Sequence, residues 1–263
     1  SPTIAAFGNG SSFTNAVESK VKYSFSPAHP LLNCQALLNS SDANVSIISA
    51  TLTAAKDDVP EHCLVYGVIA PEIQFVVQFP SNWNRRLYIH GNGNDGGESI
   101  YDYYGKDIRN AAVRRGFVAS FSNMGHDRAS FQGGTWAKNN LQRELDFGYR
   151  SLHLNTIVVK QMIESYYGRE AAYSYFDGCS TGGGQGLKAA QRFPDDFDGI
   201  LAGAPVSDPA NLLLYFWNIN KAQEIMQFDN KRLTMLGKII MKKYDEMDGV
   251  KDGVINNPAS IDF

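Results

Sequence analysis

Apolar and polar positions alternate along this chain in blocks whose period changes several times, and each change predicts an element. Val45 to Leu52 (VSIISATL) and His62 to Ala70 (HCLVYGVIA) read as strands of an antiparallel entry sheet, separated by a polar loop at 54–60. Gln74 to Phe79 follows as a third strand, ended by Pro80. Arg86 to His90 is a short apolar strand that runs straight into Gly91-Asn92-Gly93-Asn94-Asp95-Gly96-Gly97. Beyond it the chain alternates. A short helix at Ile108 to Arg115 precedes a strand at Phe117 to Phe121, which ends at Met124-Gly125-His126-Asp127. Leu141 to Tyr167 predicts one long amphipathic helix, with Tyr149, Leu152, Ile157, Val158 and Met162 on its buried face. Then come a strand at Ala172 to Phe176, a helix at Gly186 to Phe193 and a strand at Asp198 to Pro205. Strands alternating with helices imply a mostly parallel sheet, so the fold class is α/β. From Val206 onward the pattern turns helical, at Asn211 to Gln227 and Lys231 to Tyr244. Two domains are expected, 1–206 and 207–263.

One pentapeptide carries chemistry. Gly178-Cys179-Ser180-Thr181-Gly182 lies between a predicted strand and a predicted helix, which is the setting that holds a serine on a sharp, strained turn. Ser180 is the candidate nucleophile. The N–H of the next residue, Thr181, is one candidate oxyanion donor. A strand stopping at a glycine-rich loop supplies the other, because glycine lets a backbone N–H approach a substrate oxygen closely; among Gly91, Asn92 and Gly93 we take Gly93. A serine hydroxyl needs a base, and in this reaction type the chain order is Ser, acid, His. The five histidines, His29, His62, His90, His126 and His153, all precede Ser180. Three readings follow: a base supplied from outside this chain, His126 or His90 acting from an unusual position, or a hydrolase-fold binding protein without a base. His126 at a strand end reads as a pocket wall, and His153 as a packing residue of its helix.

Composition narrows the setting. The 263 residues are 43% hydrophobic and 12% aromatic, enough for a sizeable core, and the net charge of −3 gives no hint of nucleic acid or of an anionic membrane. No apolar run is long enough to span a bilayer. Ser1-Pro2-Thr3 lacks the features of a leader, so any signal peptide is expected to have been removed. Asn9-Gly10-Ser11, Asn39-Ser40-Ser41 and Asn44-Val45-Ser46 are glycosylation patterns and favour a secreted or periplasmic protein. Of three cysteines, Cys34 and Cys63 flank a segment that a bridge would close, which leaves Cys179 as a free thiol, an intermolecular partner or an inert buried group. Asp245, Asp248 and Asp252, interleaved with Asp-Gly turns, offer hard oxygens suited to Ca²⁺, or form a plain pair of surface turns.

Taken together, these residues resemble the tannase/feruloyl esterase family, which includes mono(hydroxyethyl) terephthalate hydrolases. The resemblance runs from Cys34 to about Val254. It rests on Ile69-Ala70-Pro71-Glu72-Ile73, Asp146-Phe147-Gly148-Tyr149-Arg150, the Ser180 pentapeptide, Phe193-Pro194-Asp195-Asp196-Phe197-Asp198-Gly199-Ile200 and Asp248-Gly249-Val250-Lys251-Asp252-Gly253. It implies the N-terminal part of an α/β-hydrolase fold, the start of an inserted lid, and a secreted serine esterase for esters of aromatic acids. It also implies a structural Ca²⁺ on the carboxylates of Asp245, Asp248 and Asp252 and the carbonyls of Val250 and Val254. Cys34 and Cys63 resemble the family's N-terminal bridge. Cys179 matches a cysteine that members bridge to one following the catalytic histidine, so a second, disulfide-linked polypeptide carrying the Asp and His is the expected partner. Two positions depart from the pattern: Gly184 stands where many members have arginine, and Tyr244 where many have cysteine.

Overall fold

The computed structural model describes residues 25–131 and 133–261; the Asn9 sequon and the Ser1-Pro2-Thr3 start lie outside them. The chain divides into two compact units, Ser1–Ser207 and Asp208–Phe263.

The first unit is built on one seven-stranded mixed sheet. Strands β1 (Val45–Thr53), β2 (His62–Ile69) and β3 (Ile73–Pro80) form the expected antiparallel meander. Beyond β3 the order is β5 (Val118–Ser122), β4 (Arg86–His90), β6 (Tyr173–Cys179) and β7 (Gly199–Gly203). β5 joins β3 antiparallel, and the last four strands run parallel. Helices cover both faces, which is why β5 is buried at every position and β3 at every position but Gln74. On one face lies α1 (Tyr103–Arg114), whose Ala112 and Val113 pack with Ala119. On the other lie α3 (Ser151–Tyr167) and α4 (Thr181–Arg192), over Phe75, Phe79, Leu87 and Phe176. Tyr167 stacks on Trp83 with ring centres 4.4 Å apart, and its hydroxyl donates to the Pro80 carbonyl at 2.8 Å.

Three predicted helices needed correction, the first being α1, which begins at Tyr103, five residues before the expected Ile108. The segment read as one helix from Leu141 to Tyr167 is α2 (Leu141–Leu145), a π turn at Asp146–Arg150, and α3. The π turn adds a residue to the repeat and rotates the buried face. Tyr149 and Ile157 are therefore half-buried, while Val159, Ile163 and Tyr166 join Leu152, Val158 and Met162 in the core. The turn is held by the wholly buried Asp146, which pairs with Arg150 at 2.6 Å, while Arg150 also donates to the Ala70 carbonyl. The third correction is the start of α4, five residues before Gly186. Its four glycines, at 182, 183, 184 and 186, are poor helix formers, and close packing overrides that weakness.

The second unit contains α5 (Pro209–Ile225) and α6 (Asn230–Tyr244). Each has an aspartate N-cap: Asp208 accepts from the Asn211 N–H and Asp229 from the Arg232 N–H. No described helix is long and apolar enough to cross a membrane.

Cys34, opening a 3₁₀ helix at Cys34–Ser40, is disulfide-bonded to Cys63 on β2, 29 residues away. Closing a loop of that length removes conformational entropy from the unfolded chain. Cys34→Ser/Cys63→Ser is expected to lose about 3–4 kcal/mol, read as a lower urea midpoint, and an unchanged midpoint would show that the bridge constrains nothing.

Candidate functional site

Ser180 stands where β6 ends and α4 begins. Its backbone adopts φ 61°, ψ −117°, a positive φ at which a residue with a side chain is strained. Three backbone hydrogen bonds hold it there: Ser180 N–H to the Gly203 carbonyl at 3.0 Å, and its carbonyl accepting from Val206 at 3.0 Å and Gly184 at 3.1 Å. The turn is possible because its neighbours lack side chains. A Cβ on Gly178 would lie 2.6 Å from the Gly182 backbone, and one on Gly183 would lie 2.4 Å from the Gly203 carbonyl. Ser180 is half-buried and borders a cavity of about 430 Å³ together with Cys179, His90, Asn92, Gly93 and Glu98. As the N-cap of α4, it also sits at the positive end of that helix's dipole.

The glycine loop after β4 closes over the start of α4. Gly182 N–H donates to the Asn92 carbonyl at 2.7 Å, and the Thr181 hydroxyl donates to the Asn94 carbonyl. The Thr181 N–H has no hydrogen-bond acceptor among the described residues. Gly93 N–H, the other candidate donor, is engaged: it donates to Glu98 Oε1 at 2.8 Å. Glu98 Oε2 accepts from Asn92 Nδ2 at 2.8 Å, and Arg128 lies 4.0 Å from the carboxylate. Asn92 N–H is held from the other side by Gln185 Oε1, at 2.9 Å. The sequence reading missed both Gln185 and Glu98. Gln185 had a signal, as the one polar side chain among the glycines of α4; Glu98 had none.

The histidines are dispersed. His153 Nδ1 lies 2.8 Å from Asp196 Oδ2, and its ring stacks on Phe193 at 3.7 Å. That His–Asp pair sits beside the C-terminal end of α4. Twelve helical residues, about 18 Å, separate that end from Ser180. His126 is buried against Trp136, with rings 3.9 Å apart, beneath Gly96 and Gly97, and burial pushes its pKa down. His62 faces Pro60 and Gln78, and His29 faces the Ser81 carbonyl. His90 alone shares the Ser180 cavity; its ring lies against Phe121, and burial lowers its pKa.

In the second unit Asp245, Asp248 and Asp252 fall in one loop. The oxygen donors suit a hard cation in kind. Here the carboxylates turn to their own backbone, with Oδ1 atoms accepting from Gly253, Val250 and Val254 N–H groups at 2.8–3.0 Å. Among the described residues no three His, Cys, Asp or Glu side chains converge as a metal cage. Val250 and Val254 are exposed on the same loop. Cys179 is a free, exposed thiol, and the one disulfide lies within the chain.

The chain is similar to known proteins in sequence and in fold. The family described as tannase and feruloyl esterase matches residues 58–263. A mono(2-hydroxyethyl) terephthalate hydrolase of Piscinibacter sakaiensis is 32% identical over 239 residues, which are 80% of this chain and 40% of that protein. Feruloyl esterase B of Aspergillus niger is 35% identical over 186 residues, 68% of this chain and 34% of that protein. Among solved structures, an esterase from Aspergillus oryzae superposes with a TM-score of 0.72 at 25% identity, covering 86% of this chain and 48% of that one. Feruloyl esterase B of the same organism gives a TM-score of 0.66 at 29% identity with the same coverage. The sheet is thus an α/β-hydrolase sheet, and the chain spans less than half the length of each of these four relatives.

The contact between α4 and the glycine loop is tight enough to test directly. A Cβ on Gly182 would lie 2.9 Å from the Asn92 carbonyl, and neither backbone can yield without moving the loop. Gly182→Ala is expected to cost about 1–3 kcal/mol; a thermal melt superimposable on wild type would show the loop to be loosely seated.

Proposed function

The chain belongs to the tannase and feruloyl esterase family, and from that premise we propose that it carries the nucleophile half of a serine esterase for esters of aromatic acids. The family's homologues are carboxylic ester hydrolases. One observation carries the reading: the Ser180 backbone at φ 61°, on a strand-to-helix turn that opens on a cavity roofed by the glycine loop. The names of two relatives refer to terephthalate and ferulate esters, both of aromatic acids.

In this mechanism Ser180 Oγ attacks the ester carbonyl while a base takes its proton. The C–O bond to Oγ forms, and the carbonyl π electrons move onto oxygen. Thr181 N–H donates to that oxyanion, and Gly93 N–H joins it once the oxyanion displaces the Glu98 carboxylate. Collapse expels the alcohol, which receives the proton from the base. Water then repeats the sequence on the acyl-serine and releases the acid. The base and its acid come from outside these 263 residues, on a polypeptide tied through Cys179. Support comes from the exposed Cys179 thiol beside Ser180 and from the remote engagements of His29, His62, His126 and His153. A second reading, with His90 as an in-chain base, is favoured by its place in the Ser180 cavity.

Secretion is part of the proposal. An intrachain disulfide suits an oxidising compartment, and the sequon residues Asn39 and Asn44 are exposed. So is Ca²⁺, held by the carboxylates of Asp245, Asp248 and Asp252 with the Val250 and Val254 carbonyls once the Oδ atoms leave their backbone partners.

The 263-residue chain alone is expected to hydrolyse methyl ferulate no faster than its Ser180→Ala variant, because loss of a triad member costs several orders of magnitude. A clear rate lost in Ser180→Ala, and lost equally in His90→Ala, would move the base to His90. If addition of a polypeptide carrying the missing His and Asp restores nothing, the chain is a binding protein without catalysis. Calcium is read separately by melting temperature: Asp248→Ala should lower it in calcium and leave it unchanged in chelator, and an equal drop in both would reduce the loop to a turn.

A further inference from the structure

A second cavity, of about 480 Å³, lies where α1 meets β2 and β3, and its wall contains three polar side chains that are almost wholly buried: His62, Gln78 and Arg109. Their hydrogen bonds can be followed one by one. The Pro60 carbonyl, 2.8 Å from His62 Nδ1, can only accept, so Nδ1 carries the proton and Nε2 is the acceptor. Gln78 Nε2 therefore spends one N–H on His62 Nε2 at 3.1 Å and the other on Asn110 Oδ1 at 2.9 Å. That leaves Gln78 Oε1 as a buried acceptor with no donor among the described residues.

Arg109 is the opposite case. Its residue is 2% exposed, yet Nε and Nη1 have no acceptor among the described residues, and Nη2 has one long contact, 3.5 Å, to the Ile100 carbonyl. Burial pulls the guanidinium down to about 10, so it remains charged at neutral pH. An ionised group buried without a counter-charge is costly, and native proteins keep one where something supplies the missing partner. No acidic side chain pairs with it among the described residues. The wall also holds the cations Lys56, Lys106 and Arg114 against the carboxylates Asp57 and Asp107, which leaves it net positive with Arg109, and Tyr66 and Tyr101 lie beside it with rings tilted by 33° and centres 4.7 Å apart.

A cation needing an acceptor, an acceptor needing a donor and an aromatic wall thus share one cavity outside the Ser180 site. We propose that this cavity binds a small aromatic carboxylate bearing a hydroxyl, with its carboxylate on Arg109 and Lys106, its ring against Tyr66, and its hydroxyl donating to Gln78 Oε1. Binding in this way requires the guanidinium, which lies 6.0 Å over the Phe121 ring, to turn its orphaned N–H groups toward the carboxylate.

The test is a titration of the ¹⁵N-labelled 263-residue chain with 4-hydroxybenzoate, with benzoate and inorganic phosphate as comparison ligands. The Arg109 Nε–H resonance is identified by its loss in Arg109→Met. That variant is expected to fold, since it exchanges an unpaired buried charge for an apolar group of similar length. The expected result is a saturable downfield shift of the Arg109 Nε–H with 4-hydroxybenzoate, tighter than with benzoate and absent with phosphate. Affinity should fall about 10- to 100-fold in Arg109→Met. A shift confined to the Gly93 and Thr181 amides, an equal response to phosphate, unweakened binding by Arg109→Met, or no binding at all would each overturn the proposal. The result is independent of whether Ser180 is a nucleophile.

Discussion

The site region depends on one backbone constraint: Ser180 is held at a positive φ by hydrogen bonds from the end of β7 and the first turn of α4. A serine in that conformation costs on the order of 1–3 kcal/mol, and it persists only where the surroundings over-determine it. Here they do. The Gly203 carbonyl, the Val206 N–H and the Gly184 N–H fix Ser180 from three directions. Glycines at 178, 182 and 183 let β6, α4 and β7 approach closer than any side chain would permit. The same closeness brings Gly182 N–H onto the Asn92 carbonyl, so the elbow and the glycine loop are joined backbone to backbone.

Around that junction the polar groups are arranged in layers. Gln185, one turn into α4, holds the Asn92 amide, and Glu98 holds the Asn92 side chain and the Gly93 amide. The Glu98 carboxylate on Gly93 N–H orders the loop, and in the proposed mechanism it is the group that an oxyanion would have to displace. Behind the loop, His126 and Trp136 form an apolar stack that supports Gly96 and Gly97. Histidine here serves as packing.

Much of the sheet and the elbow was legible in residue pattern. Short apolar-rich runs ending at Pro80 and at Phe121 marked β3 and β5 as strands, and the small residues flanking Ser180 marked the turn; that both strands are covered on both faces came only from the packed helices. The π turn at Asp146–Arg150 was not legible, because its cause is distant: Arg150 reaches the Ala70 carbonyl, 80 residues away in sequence. The early start of α4 was hidden for a related reason. Local propensity argues against a helix beginning in three glycines, and only the neighbouring backbones show why it must.

By itself, the order of residues determined the fold class, the place of the elbow and the dispersal of the five histidines ahead of it, because these follow from local periodicity and chain order. It could not show that the Gly93 amide is already engaged, that His153 has found Asp196 at the far end of a helix, or that Arg109 is buried with two nitrogens unanswered. Those depend on which groups, remote along the chain, arrive within about 3 Å of one another. Hydrogen bonding is short-ranged and directional, so partners of this kind are chosen only once the sheet and its helices have closed.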